Sequence, residues 1–339
     1  MNKEALIVIP GLDSKEVGFA LKRVVDSISD KQTIATVKKI NNPEKPNSES
    51  LEVTFNNSLE VKKIDVYEVF WGDIITENYS DNIKSKRKIF FGLELIIFWL
   101  FSPIWKAASK NKWMFIGICF SGLVITLWYF SIIGVVLSAI ETYDPIRKLL
   151  PKIILIPPLL ANIYVLIGLL LSVLPTALIL KASGFTMKFI KDPGIRRSVK
   201  NRIQLLVNAI EKDEEYEQIT FFSHSLGVIP ALDFLSKYDN PNNLKIKSIT
   251  IGAAISFLSH KTNLFREYLD ECRGNENIDA WLDYFSKEDW LCSYESINSY
   301  GDHFESKELK MDSSWGSRFN SKIHIKYFDD TEVIEKLIT

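Results

Sequence analysis

Apolar and polar positions along this chain alternate between strand-like runs and helical stripes. Ala5–Ile9 is an unbroken apolar run of strand length, and it passes through Pro10-Gly11-Leu12 into a helical pattern starting near Asp13 or Ser14. Val17, Ala20, Leu21, Val24, Val25 and Ile28 give that helix a single apolar face. NNPEKPNSES then reads as a polar loop, followed by strand patterns at Leu51–Phe55 and at Val61–Trp71, the second ending in Trp71-Gly72-Asp73. Further on, Asp192-Pro193-Gly194 opens a helix whose stripe is Ile195, Val199, Ile203, Leu206 and Ile210. Ile219–Phe222 is the next strand, and a helix carrying Val228, Ile229, Ala231, Leu232 and Leu235 follows almost at once. Ile246–Ile251 and Ile278–Tyr284 complete the series. Strands and helices in this order predict an α/β fold with a mainly parallel sheet flanked by helices.

Between these elements lies sequence of a different kind. No charged residue occurs from Trp113 to Ile140, nor from Ile153 to Leu180, and each run exceeds the roughly 20 residues that cross a hydrocarbon core. A third stretch, Ile89–Trp105, is shorter, carries Glu94 and is broken by Pro103. Residues 1–83 and 185–339 are expected to build one α/β domain in two parts. Residues 84–184 then form an insertion, with an interfacial segment at 89–105 and a transmembrane hairpin of spans 113–140 and 153–180. Both parts of the domain must lie on one side of the bilayer, so the crossings must be even in number. The loop between the spans, ETYDPIRKLLPK, holds three basic residues against two acids, while Lys84, Lys86, Arg87, Lys88, Lys106, Lys110 and Lys112 precede them and Lys181, Lys188, Lys191, Arg196 and Arg197 follow. That bias expects an inner or plasma membrane protein whose domain faces the cytoplasm.

Charge and cysteine content narrow the chemistry. Lys and Arg number 41 against 42 Asp and Glu, a net charge of −1, which argues against nucleic acid as a partner. Cys119, Cys272 and Cys292 are too scattered for a disulfide framework, and a reducing compartment is expected. No spacing suggests a metal or another cofactor. The apolar run of MNKEALIVIPG is too short for a secretory signal, whose core spans about 7–15 residues. The expected partners are the lipid bilayer and the substrate.

The chemistry-bearing segment is ITFFSHSLGV. Its apolar strand stops at Ser223-His224-Ser225-Leu226-Gly227 and a helix begins at once. Small residues two before and two after Ser225 suit a sharp strand-to-helix turn, which exposes the hydroxyl beside the N–H groups of a helix start. With the opening strand and its Pro-Gly-Leu turn, this segment resembles the α/β-hydrolase superfamily, in particular bacterial lipase- or esterase-like members whose elbow reads G-H-S-L-G. The chain departs from that pattern at Ser223, where the family usually has glycine, and at Pro10, where it often has histidine.

The resemblance implies an acid and a histidine after Ser225, in that order. In AWLDYFSKEDWLCS the implied acid is Asp289, with Asp283 as the alternative inside the strand. His324, in KIHIKYFDDTEVIEKL, matches the family's closing segment, although that stretch alternates like a strand. His303, in SYGDHFES, is the alternative base. Backbone N–H groups of Leu226 and Leu12 are the implied oxyanion donors. The expected function is a membrane-anchored serine hydrolase cleaving a lipid or other acyl ester. A non-catalytic membrane scaffold of the same fold, or a membrane-disrupting effector, is the alternative.

Overall fold

The computed structural model describes residues 2–12, 16–30, 35–40, 48–55, 61–74, 93–98, 112–142, 166–171, 176–213, 215–253, 259–289, 303–311, 314 and 322–339, the side chains of 2, 40, 112–114, 117, 135–142, 177 and 178 excepted. Eight strands form one sheet in the order β2-β3-β4-β1-β5-β6-β7-β8. They are β1 (Asn2–Ile9), β2 (Ala35–Ile40), β3 (Ser48–Phe55), β4 (Val61–Glu68), β5 (Gln218–His224), β6 (Lys245–Ile251), β7 (Ala280–Phe285) and β8 (Phe304–Glu308). From β4 to β8 every neighbouring pair is parallel, and β2 and β3 add an antiparallel hairpin at one edge. The expected mixed fold, with a mainly parallel sheet and flanking helices, is what the chain adopts.

Alternation along the central strands sorts the core into two layers. Ala5, Ile7, Ile9 and Phe221 point to one face, against α3 (Thr176–Lys191), α4 (Pro193–Glu211), α5 (Val228–Leu235) and α6 (Asn263–Gly274). Leu6, Val8 and Phe222 point to the other, against α1 (Phe19–Ser29) and α7 (Thr331–Ile338). The chain thus leaves β1 toward one face and leaves β5, its neighbour, toward the opposite face. Such diverging connections open a crevice at the carboxyl ends of the two strands, where open α/β sheets place their ligands.

Several boundaries differ from the sequence pattern. Helix α1 starts at Phe19, not near Asp13 or Ser14, because Gly18 adopts φ 85° and turns the chain into it. Val17 consequently lies outside the helix and is 73% exposed. Ser48–Ser50, read as loop, belong to β3, where the Ser50 hydroxyl donates to the buried Asp65 carboxylate at 2.6 Å. β4 ends at Glu68, short of Trp71. Two basic residues of α4 make specific contacts with neighbouring segments, while Arg197 is exposed. Arg202 makes a bidentate pair with Asp73 at 2.7 and 2.9 Å, and Arg196 donates to the last-turn carbonyls of Phe189 and Ile190.

The inserted region is where expectation and structure part most. Helix α2 (Lys112–Thr142, 31 residues) contains the first expected span. Counted over the described residues, no helix is long and apolar enough to cross a membrane. The second expected span falls partly outside the described residues. Its end belongs to α3, which runs on to Lys191 and buries Phe185 and Phe189 in the α/β core. The membrane-spanning hairpin is therefore not supported as a feature of the fold. Within 89–105 the described residues are a short helix at 93–98 that buries Leu95 and pairs Glu94 with Lys191.

Candidate active site

Ser225 stands immediately after β5, at the first position of a single 3-10 turn, Ser225–Gly227, that leads into α5. Its φ is 55°, in the left-handed region, a conformation that costs a side-chain-bearing residue on the order of 1–3 kcal/mol. The strain is imposed by how tightly the turn sits on β1. A Cβ added at Gly227 would lie 2.3 Å from the Ile9 carbonyl oxygen and 2.5 Å from that of Pro10. Only glycine fits there. At the other small position, Ser223 is itself wholly buried in the strand, and its hydroxyl has no hydrogen-bond partner among the described residues.

The opposite wall of the crevice is the Pro10-Gly11-Leu12 loop. The Trp71 indole N–H donates to the Pro10 carbonyl at 2.8 Å, and the Lys181 ammonium donates to that of Leu12 at 3.2 Å. Trp71 itself packs on Phe185 of α3, ring centroids 4.7 Å apart. Leu12 lies in the loop leaving β1 and Leu226 directly follows the serine, so the expected N–H donors belong to the segments on either side of the crevice.

Beside Ser225 the carboxy-terminal segment delivers an imidazole. His324 lies in a 3-10 turn, Ile323–Asp329, and not in the strand that the alternation of KIHIKYF suggested. Three residues per turn place His324 and Tyr327 one above the other. His324 Nε2 is 2.7 Å from Ser225 Oγ, and Nδ1 is 2.7 Å from Asp289 Oδ2. Because a carboxylate only accepts, the ring proton resides on Nδ1, and Nε2 is left as the acceptor for the serine hydroxyl. Asp289 and His324 are 2% and 4% exposed, so their interaction is little screened by water. The Tyr327 hydroxyl donates to the same Asp289 oxygen at 3.2 Å.

The alternatives lie elsewhere. Asp283 is buried within β7, where its carboxylate accepts from the hydroxyls of Thr250 and Ser306 on the adjoining strands. His303 precedes β8, which runs parallel to β7, whereas Asp289 follows the end of β7. His303 is therefore at the opposite edge of the sheet from Ser225.

Three further residues border the site, and the sequence pattern assigned none of them a role there. Gly252, after β6, has φ 53°, and a Cβ there would lie 2.9 Å from the Tyr327 ring and 3.3 Å from His324 Cε1. Tyr327 and His224 are the others, and His224 lies 4.7 Å from His324 between ring centroids. A glycine after a strand is the signal that could have marked position 252; the other two contacts arise only when the chain's tail folds over β5. Among the described residues, no group of His, Cys, Asp and Glu could hold a metal ion. No family model matches the chain, and no curated protein or solved structure matches it either.

Proposed function

We propose that this chain is a serine hydrolase of the α/β-hydrolase type that cleaves carboxylic esters. The observation that carries the reading is the continuous hydrogen-bonded series from Ser225 through His324 to Asp289, both bonds at 2.7 Å, at the carboxyl edge of a parallel sheet. The chain order serine, aspartate, histidine supports the fold type. Ser225 Oγ attacks the ester carbonyl carbon as its proton passes to His324 Nε2, and Asp289 stabilises the imidazolium that results. The oxyanion meets the N–H groups of Leu226 and Leu12. When the tetrahedral adduct collapses, the alkoxide leaves with the Nε2 proton, and the acyl group stays on Ser225. Water, deprotonated by the same nitrogen, then releases the carboxylic acid and restores the hydroxyl.

A lipid or other membrane-partitioned ester is the substrate class we favour. Exposed large apolar residues Leu93, Ile97, Phe115, Leu123, Phe130 and Leu166 all belong to the inserted region, and uncharged sequence surrounds most of them. Exposed apolar surface of that extent suits a bilayer partner. The insertion follows β4 at the same edge as Ser225, so the crevice would open toward the lipid, with the α/β layers on the cytoplasmic side. The test is hydrolysis of a p-nitrophenyl acyl ester by the full chain in detergent, beside sedimentation with phosphatidylcholine vesicles. Activity that Ser225→Ala removes, with vesicle binding unchanged, is expected. A folded wild-type protein that binds vesicles and hydrolyses nothing would instead favour the scaffold reading.

A further inference from the structure

The imidazole next to the serine in sequence is not spectator packing. His224 is the last residue of β5, is 1% exposed, and places Nε2 2.8 Å from the main-chain carbonyl oxygen of His324. A carbonyl only accepts, so His224 Nε2 carries a hydrogen and donates it. The next carbonyl along the turn is held as well. Arg23, from α1, donates through Nη2 to the Ile325 oxygen at 2.8 Å, and its guanidinium lies 4.7 Å over the Phe328 ring and 3.7 Å from the Asp329 carboxylate. Phe328 in turn meets the His224 ring edge to face at 4.8 Å. Two consecutive carbonyls of the turn that carries His324 are thus gripped by donors from two different elements. This 3-10 segment spans seven residues, and 3-10 helices have poorer hydrogen-bond geometry than α-helices, so its position depends on such outside contacts.

We infer that His224 and Arg23 are positioning residues: they hold the backbone at 324–325 so that His324 Nε2 stays within reach of the serine hydroxyl. The inference rests on the serine-hydrolase reading above. Neither residue touches the reacting atoms in this role; each acts through the main chain of the base. Misplacing a reacting group by about 1 Å costs on the order of 100-fold in rate, and that sensitivity is what the pair guards against.

The test separates the donor from the ring. His224→Phe keeps an aromatic body but removes the N–H, whereas His224→Gln places an amide donor near the former Nε2. With a p-nitrophenyl ester, His224→Phe is expected to lower kcat by about 10- to 100-fold with KM within about twofold, and His224→Gln to recover most of it. Arg23→Met should lower kcat in the same sense, Arg23→Lys should restore part, and the double variant should lose less than the product of the single losses. Arg23 has a quarter of its side chain exposed, so its variants carry the test should His224→Phe not fold. Folded variants that keep wild-type kcat, or Gln and Phe variants that lose it equally, would overturn the inference. A wild-type protein inert to both ester and fluorophosphonate would overturn the serine-hydrolase reading itself, which is a different outcome.

Discussion

The two edges of the sheet are built on opposite terms. At the amino edge, charges are paired and helix ends are closed. Lys62 meets Glu4 at 2.7 Å with both side chains nearly buried, and it also donates to the Ile338 carbonyl at 3.0 Å. Lys247 donates to the Lys336 carbonyl at 2.7 Å, so two ammonium groups sit at the negative end of α7. Lys3 reaches Asp213 at 3.3 Å and covers the Tyr216 ring at 4.5 Å. At the carboxyl edge, Ser225 is held at a positive φ, the buried Ser223 hydroxyl lacks a partner among the described residues, and Gly227 and Gly252 sit where no side chain fits. One edge supplies stability; the other spends some of it on geometry, the usual pattern at a functional site.

That contrast can be broken most sharply with the two histidines. His324→Ala is expected to reduce ester hydrolysis by about 1,000-fold or more, while His303→Ala, at the amino edge, leaves kcat unchanged. Equal losses from both would erase the distinction. Next in size is Gly227→Ala. The added methyl meets two backbone oxygens, so we expect a loss of about 3 kcal/mol in chemical denaturation together with loss of hydrolysis. A stable, active variant would mean that the turn is looser than its contacts indicate.

The sequence made much of this contrast legible, and unevenly. Ser225 was readable because a strand, a small-residue turn and a helix follow one another without a break. The pairing of Asp289 and His324 needed the family resemblance, since nothing local in SKEDWLCS or KIHIKYF marks either residue. The alternation of KIHIKYF pointed to a strand, yet Ile323, Tyr327 and Phe328 are buried as a 3-10 turn under α1 and β5, a tertiary effect invisible to period alone. β2 was missed because Lys38 and Lys39 interrupt its alternation, although pairing with β3 settles it as an edge strand. Such lysines are common devices on edge strands. In the inserted region, uncharged length predicted two crossings; among the described residues no helix is long and apolar enough to cross a membrane, and the end of the second expected span packs through α3 onto the core.

Smaller effects sharpen the comparison. Ser223→Ala removes a buried hydroxyl that has no described partner, so unfolding should become harder by about 1 kcal/mol, with kcat preserved; a loss of stability would reveal a partner for that oxygen. At the amino edge, burial and then the nearby Lys62 ammonium lower the Lys247 pKa to about 8. An unfolded lysine titrates near 10.4, so between those values the unfolded chain binds more protons and stability rises with pH. The melting temperature of the wild type should climb on the order of 1–2 °C across that window relative to Lys247→Met, a small effect because the group is only partly buried. A fall would contradict the assignment.

The most direct measurement is intact-mass and peptide mapping of the full chain after exposure to a fluorophosphonate at neutral pH. The account predicts one adduct, on Ser225, formed at a rate that His324→Ala cuts by orders of magnitude. Labelling at another residue, or none on a protein shown to be folded, would contradict it.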